Sequence, residues 1–471
     1  MNPVSALIMM LLLAGCSLHK PTDVSLSVAP PQEFLEKKMT GETRPLPGQW
    51  WLAFEDEQLN QLMTELFKQN LELTQAVARL EQVEALARIT RSAESPFLSG
   101  GGNVGRSSQP GLSDDFIGNN QQLSLAAGYE LDLWGKLSAQ SRAAELELSA
   151  SRQDMQTLYL GLSARLADLY FLAIEQRAQL ALTDQSIASF ADTLLRVENR
   201  YNLGLVPAVD MYQARQSLAG AQAARYLFEA SLGEVEHAIA VLIGRYPERS
   251  PGGSLEQLPG APDLFDAGIP AELISQRPDL QAALQRVEAA DYRVAAAIAD
   301  RFPSISLSGG TGSLRQDVTA GLIKGEFWSL LGNLAMPLVD GGRRRAEVDR
   351  KEAALREAVA NYQQKVLTAF QEVEDALVNN YATEQRVERL AETAQATGAT
   401  LRLSTDRYLA GLVDYLPVLT AQRTDFDVSS RLLAARRQLL AERISLARAL
   451  GGDWMRNQMN SRLQIEEDEK Q

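Results

Sequence analysis

The chain contains a second copy of itself. A shift of 207 positions lays Leu73 on Leu280, Arg79 on Arg286, Pro96 on Pro303, Gly105 on Gly312 and Leu131 on Leu338. The same shift carries Gly135 onto Gly342, Asp168 onto Asp375, Arg200-Tyr201 onto Arg407-Tyr408, Gly204-Leu205-Val206 onto Gly411-Leu412-Val413, and Gly244 onto Gly451. One offset serves from residue 73 to 244 without a gap, so this is a tandem duplication. Any fold proposed for one half must therefore serve the other.

Inside each copy the hydrophobic period changes. Tyr159, Leu166, Ala173, Leu180, Ile187, Leu194 and Tyr201 recur every seven residues, and Leu162, Leu169, Phe190 and Val197 follow three positions later. Gln176 and Thr183 interrupt that second series. The spacing predicts a long helix from about 136 packed along its length, reaching ~100 Å at ~1.5 Å per residue. Asn202 to Pro207 breaks it, and Ala208 to Ile243 returns as a second helix. Copy two repeats the hairpin as Arg343 to Ala410, a turn at Gly411, and Leu412 to Leu450. Shorter helices, Glu57 to Ala93 and Asp279 to Asp300, precede the two units.

The other period is two. Leu123, Leu125, Ala127, Tyr129, Leu131 and Leu133 alternate with polar positions, and Trp328, Leu330, Gly332, Leu334, Met336 and Leu338 do the same in copy two. Trp328, read as the strand start, fits an aromatic girdle at a membrane interface. Gly- and Ser-rich partners, Pro96 to Ser107 and Pro303 to Leu314, complete two hairpins at about 96–133 and 303–340. Strands of ~9 to 11 residues cross a bilayer when tilted, although a soluble sheet shows the same alternation. In hydrocarbon a sheet must close, because an open edge leaves backbone groups unpaired. Four strands per chain fall short of the smallest such barrels, whereas two chains supply eight and three supply twelve, the latter with room for a lumen.

The start of the chain addresses the same compartment. Residues 6 to 14 are uninterrupted apolar and end at Leu13-Ala14-Gly15-Cys16. That length suits a signal-peptide core and is too short for a spanning helix. It resembles a bacterial lipoprotein signal, which implies cleavage after residue 15 and lipid on Cys16. Ser17 in place of an Asp favours the outer membrane in that reading. Proline-rich residues 16–56 read as an extended arm, 246–270 as a linker between repeats 57–245 and 271–452, and 453–471 as a tail ending in the charged run Glu466 to Gln471.

Composition removes other classes. With 46 basic against 60 acidic residues, a net −14, clustered phosphate binding and hence a nucleic-acid partner are disfavoured. One cysteine and two histidines leave no disulfide framework and no Cys- or His-rich metal site. No phosphate loop or nucleophile motif is present, since Gly100-Gly101-Gly102 and Gly309-Gly310 sit in strands and open no helix. An enzyme, a metal site and a cofactor other than lipid are therefore not expected.

Several motifs in order carry a family resemblance: Trp50-Trp51, Phe54, Asp56 and Leu59; Tyr129-Glu130-Leu131-Asp132-Leu133-Trp134-Gly135; and Arg277-Pro278-Asp279-Leu280. Phe302-Pro303-Ser304-Ile305-Ser306-Leu307, Asp340-Gly341-Gly342-Arg343 and Ala369-Phe370-Gln371-Glu372-Val373-Glu374-Asp375 complete the set. Together they resemble the outer-membrane factors, the TolC-like and NodT-type efflux lipoproteins. The resemblance implies a mainly α homotrimer: a barrel of long coiled-coil hairpins continuous with a 12-stranded outer-membrane β-barrel, four strands per chain. It also implies a passive duct among outer-membrane lipids, projecting into the periplasm of a Gram-negative bacterium and docking with a periplasmic adaptor and an inner-membrane pump to export compounds such as drugs. A lipid-anchored periplasmic scaffold or adaptor, or a metal-ion or protein-secretion duct of the same fold, is the alternative.

The resemblance also points to particular residues. The tips share the form Arg-Tyr-x-x-Gly-Leu, so Arg200, Gly204, Leu205, Arg407, Gly411 and Leu412 are the expected adaptor contacts. A left-handed helix cap accounts for the glycines alone, and exposed leucines need another reason. Relatives close the periplasmic entrance with inward residues that often include aspartates. Asp210 stands at such a position, its copy-two counterpart is Pro417, and Thr420 occupies a place where relatives often carry Asp. The entrance is thus expected to hold Asp210, joined by Asp414, and to lack one acidic ring. The lipid-facing positions are Leu123, Leu125, Tyr129, Leu131, Trp328, Leu330, Leu334 and Met336.

Overall fold

A computed structural model describes residues 19, 20, 22, 30–39, 43–109, 116–251, 253, 255, 257–318, 321–452, 454–456, 458–460 and 463. The segment 1–15, Cys16 and the run Glu466 to Gln471 lie outside the described residues. In order, the elements are β1 (Thr43–Arg44), α1 (Glu57–Gln69), α2 (Leu71–Ser92), β2 (Phe97–Gln109), β3 (Phe116–Leu131), α3 (Lys136–Asn202) and α4 (Ala208–Leu242). They continue with β4 (Leu264–Phe265), α5 (Pro270–Gln276), α6 (Pro278–Ala299), β5 (Ser304–Val318), β6 (Gly321–Ala335), α7 (Arg343–Leu409) and α8 (Tyr415–Leu450). An offset of 207 carries both ends of α2 onto those of α6 and both ends of α3 onto those of α7. The duplication is structural as well as textual.

The chain divides into two compact units, residues 1–27, 78–152 and 281–364, and residues 28–77, 153–280 and 365–471. The first holds one antiparallel sheet in the order β2-β3-β5-β6. In it α3 packs on α6 through Ala143, Leu146 and Ala289, and Glu147 takes charged bonds from Arg286 at 3.3 Å and Arg293 at 2.9 Å. Small side chains let the two backbones approach, and the shared carboxylate fixes their register.

The second unit is helical with an aromatic core. Trp51 meets Trp454 edge-on at 4.7 Å, Phe54 lies 5.0 Å from Phe171, and Phe67 lies 5.5 Å from Tyr159. Trp50 and Trp51 are buried, as packing residues are. Asn70 ends α1 and caps α2: its Oδ1 accepts from the Leu73 N–H while its Nδ2 donates to the Leu242 carbonyl. The expected single helix Glu57 to Ala93 is therefore two. Its repeat mate Arg277 donates to the Ala449 carbonyl, the counterpart of Leu242 under the same offset.

Three other expectations are corrected in this unit. Within the segment 246–270, residues 246–250 are exposed and irregular as expected, but the part from 262 on is docked: β4 pairs in parallel with β1, Phe265 is fully buried, and Arg443 donates to the Pro262 carbonyl at 2.9 Å. The arm is docked too, with Phe34 buried and the backbone N–H groups of Leu35 and Glu36 bonded to the Glu374 carboxylate. Beyond 452, Trp454, Met455 and Met459 are buried. In each case apolar side chains within a Pro-, Gly- or charge-rich stretch find a core, which local composition does not reveal.

Candidate functional site

Two regions bear on function: the sheet and the hairpin tips. Across an antiparallel ladder, directly opposed residues share a face. Leu125 opposes Gly100 and Thr311, and Thr311 opposes Trp328, so these four lie together. Extending the rows places Leu98, Leu123, Leu125, Ala127, Tyr129, Leu131, Ile305, Leu307, Trp328, Leu330 and Leu334 on one face. The opposite face carries Ser99, Asn103, Gln122, Ser124, Glu130, Ser304, Ser306, Ser308, Ser329 and Asn333, with Phe97, Leu314, Ile323, Phe327 and Leu331 among them. One side is the more apolar and the other the richer in serine and asparagine, the pattern of a wall between lipid and water. Farther along the apolar face, Arg106, Arg315, Asp317, Lys324 and Glu326 bound the apolar band at the end distant from the helices.

Trp328 lies midway along β6, opposite Thr311, and not at the strand start. Next to it on its face of β6 are Glu326 and then Lys324, so it stands at the edge of the apolar band, beside the charged end. Met336 and Leu338 follow the last residue of β6, and Leu133 follows β3. The glycines of the partner strands have a packing role. Phe97 lies across Gly128, where an added Cβ would come within 2.5 Å of the ring, and Phe327 lies similarly across Gly312. Among the described residues, neither ladder edge, β2 or β6, pairs with a further strand.

At the tips, each long helix ends in a Schellman turn. Leu205 N–H reaches the Arg200 carbonyl and Gly204 N–H the Tyr201 carbonyl; Leu412 and Gly411 do the same to Arg407 and Tyr408. Gly204 and Gly411 have φ of 73° and 72°, where a side chain is strained. Because Leu412 belongs to this cap, α8 starts at Tyr415 with Asp414 as its N-cap, later than the expected Leu412. The leucines project into solvent, Leu205 being 63% and Leu412 70% exposed. Leu203, Val209, Tyr212 and Leu416, which the sequence pattern did not single out, are exposed beside them.

The two tips pack on each other. Val197, Ala214, Tyr408, Tyr415, Val418 and Leu419 form one buried cluster. Arg200 donates to the Tyr408 carbonyl at 3.0 Å with its guanidinium 4.7 Å from the Tyr408 ring centre. Its counterpart Arg407 is exposed, so the duplicated arginines have different surroundings. Burial pushes the Tyr415 phenol up to about 12 and raises that of Tyr408. Partial burial, then the nearby Asp414 carboxylate, raises the Asp210 pKa. Asp210 and Asp414 are thus brought together electrostatically. Thr420 is exposed, and its hydroxyl donates to the Leu416 carbonyl of its own helix.

The profile of the outer membrane efflux protein family matches residues 62–245 and 269–452, one match per repeat. The chain belongs to the outer membrane efflux protein family. It is 29% identical over 458 residues to the toluene efflux pump outer membrane protein TtgF of Pseudomonas putida, covering 94% of this chain and 95% of that one. It is 26% identical over 447 residues to the cation efflux system protein CusC of Escherichia coli, covering 94% and 97%. The solved outer-membrane channel OprN shares the fold with a TM-score of 0.85 at 26% identity, covering 93% of this chain and all of that one. As an outer membrane efflux protein, the chain is the outer-membrane channel component of an efflux system.

Proposed function

We propose that this chain forms the passive exit duct for small toxic compounds, with no catalytic chemistry and no cofactor beyond a covalent lipid on Cys16. The names of its relatives, which include a toluene pump and a cation system, support a broad class of small exported species. Selection among those species falls to the pump in this reading. The observation that carries the adaptor role is the pair of capped turns holding Leu205 and Leu412 out in water. Arg200, Gly204, Arg407 and Gly411 shape those turns, and the leucines give an adaptor apolar area worth ~25 cal/mol per Å² buried. Asp210, Asp414 and Thr420 border the periplasmic entrance in the same reading. Leu205→Glu with Leu412→Glu is expected to keep the trimer and lose adaptor capture in a pull-down with loss of export. Undiminished capture by an intact trimer refutes the tip assignment.

A further inference from the structure

The duplication is uneven at one place, the junction where each hairpin of the sheet meets its long helix. Copy one has Glu94, Lys136, Leu137 and Ser138; the equivalents in copy two are Arg301, Arg343, Arg344 and Arg345. In a chain of net charge −14, four arginines at one strand-to-helix junction are a local departure. Lys136 is engaged by Glu130 at 3.0 Å and Asp300 at 3.7 Å, and Arg344 by Asp300 at 2.9 Å. Arg301, Arg343 and Arg345 are exposed and make no ion pair within 4.0 Å among the described residues, although Arg343 lies in the field of Glu347 and helps to hold its carboxyl below the usual range. The nearby acids are otherwise occupied. Asp340 accepts the backbone N–H groups of Gly342 and Arg344, and Glu347 pairs with Arg350 and Lys351.

The same junction is unusually apolar. Leu330 and Leu334 lead off the sheet into Met336, Leu338 and Val339, and the last two are 85% and 94% exposed. Gly341 and Gly342, at φ of 63° and 82°, turn the chain sharply from those side chains into the arginines. A hollow of about 380 Å³ lined by Trp134, Phe302, Met336, Pro337 and Arg344 opens at this end of the sheet. An apolar stripe that leaves a membrane strand and stops at exposed arginines marks a boundary between acyl chains and headgroups.

We infer that this junction is a binding site for anionic phospholipid in the periplasmic leaflet. Leu338 and Val339 enter the acyl layer, and Arg343 and Arg345, with Arg301 at the same end of the sheet, hold the headgroup phosphate through charged hydrogen bonds. Copy one, with its lysine already paired, has no such site. The inference rests on the sheet being the membrane wall.

The test is native mass spectrometry of the detergent-purified trimer given equal phosphatidylglycerol and phosphatidylethanolamine. The wild type is expected to retain the anionic lipid in preference. Arg343→Gln with Arg345→Gln should lower that preference by roughly thirtyfold, about 1 kcal/mol for each of the two basic side chains near an anionic surface. Lys136→Gln, at the equivalent place in copy one, should leave the preference unchanged. An unaltered preference in the double variant overturns the site, as does its dissociation to monomers, which would assign the arginines to a neighbouring copy. Failure of the wild type to retain either lipid would instead refute the membrane reading of the sheet.

Discussion

Asp210 and the buried ion pairs show how much single residues decide in this chain. The Asp210 pKa is raised, first by partial burial and then by Asp414, so the folded tip favours its protonated form. The stability this confers is present below the ordinary carboxylate value of 3.8 and is lost as pH rises through the raised value. Tip packing should therefore loosen from acid toward neutral pH, and Asp210→Asn should flatten the dependence; amide hydrogen exchange at Tyr408 and Tyr415 measured across that range would show it. A second case lies deeper. Arg177 pairs with Glu236 at 2.9 Å in copy one, and at the same two positions copy two has the charges exchanged as Glu384 and Arg443, 3.4 Å apart. Arg177→Met alone leaves the buried Glu236 carboxylate with only the longer contacts to Arg249 at 3.6 Å and the Ser250 hydroxyl at 3.4 Å, and should cost at most ~3–5 kcal/mol. Because copy two uses the opposite polarity on the same backbone, Arg177→Glu combined with Glu236→Arg should recover most of what either change loses in thermal stability. The offset placed Arg on Glu and Glu on Arg in the bare sequence, so this pair could have been read without coordinates.

Elements divide by how locally they are specified. The heptads of α3 and the alternation of β3 are periodic signals, and the helix bounds they imply recur in both copies. The split at Asn70 had a local signal, an Asn capping the Leu73 N–H, but its second bond, to the Leu242 carbonyl, is distant in sequence. The docking of β4 and of Trp454 depends likewise on partners remote in the chain. At the tips the reverse holds: Arg-Tyr-x-x-Gly-Leu announces the turn, but the burial of Tyr408 and Tyr415 against the other hairpin is a tertiary fact. The Gly- and Ser-rich strands looked weak for a related reason, since Phe97 across Gly128 and Phe327 across Gly312 are cross-strand pairs that no single strand displays. Gly128→Val should displace the Phe97 ring and slow folding into the membrane, read as delayed acquisition of protease resistance. Gly204→Ala with Gly411→Ala, each forcing a left-handed conformation worth ~1–2 kcal/mol, should loosen both turns and lower adaptor capture while the sheet is unaffected.

For the whole molecule the decisive fact is the strand order. β2 and β6 end a four-stranded antiparallel ladder, and both are exposed along their lengths. An even number of alternating strands leaves β2 and β6 running in opposite directions, so the β6 edge of one copy can pair antiparallel with the β2 edge of the next. Each copy then presents the same two edges as the one before it, a head-to-tail contact that stops only when the ring closes. Closure is obligatory, because an unpaired edge in hydrocarbon costs several kcal/mol per unsatisfied backbone group. Three copies give twelve strands, a circumference that leaves a lumen for the polar face with its serines and asparagines. This arrangement predicts a specific cross-linking pattern. A cysteine at Ser99 in β2, scanned against single cysteines at Ser329, Leu331 and Asn333 in β6, should yield disulfide-linked dimers and trimers at one register, and no larger species. Ser99 and these three positions lie on the polar face, so an aqueous oxidant reaches them through the lumen. Bands beyond the trimer would mean an open ladder, and no cross-link at any of the three positions would mean that β2 and β6 of neighbouring copies do not meet on that face.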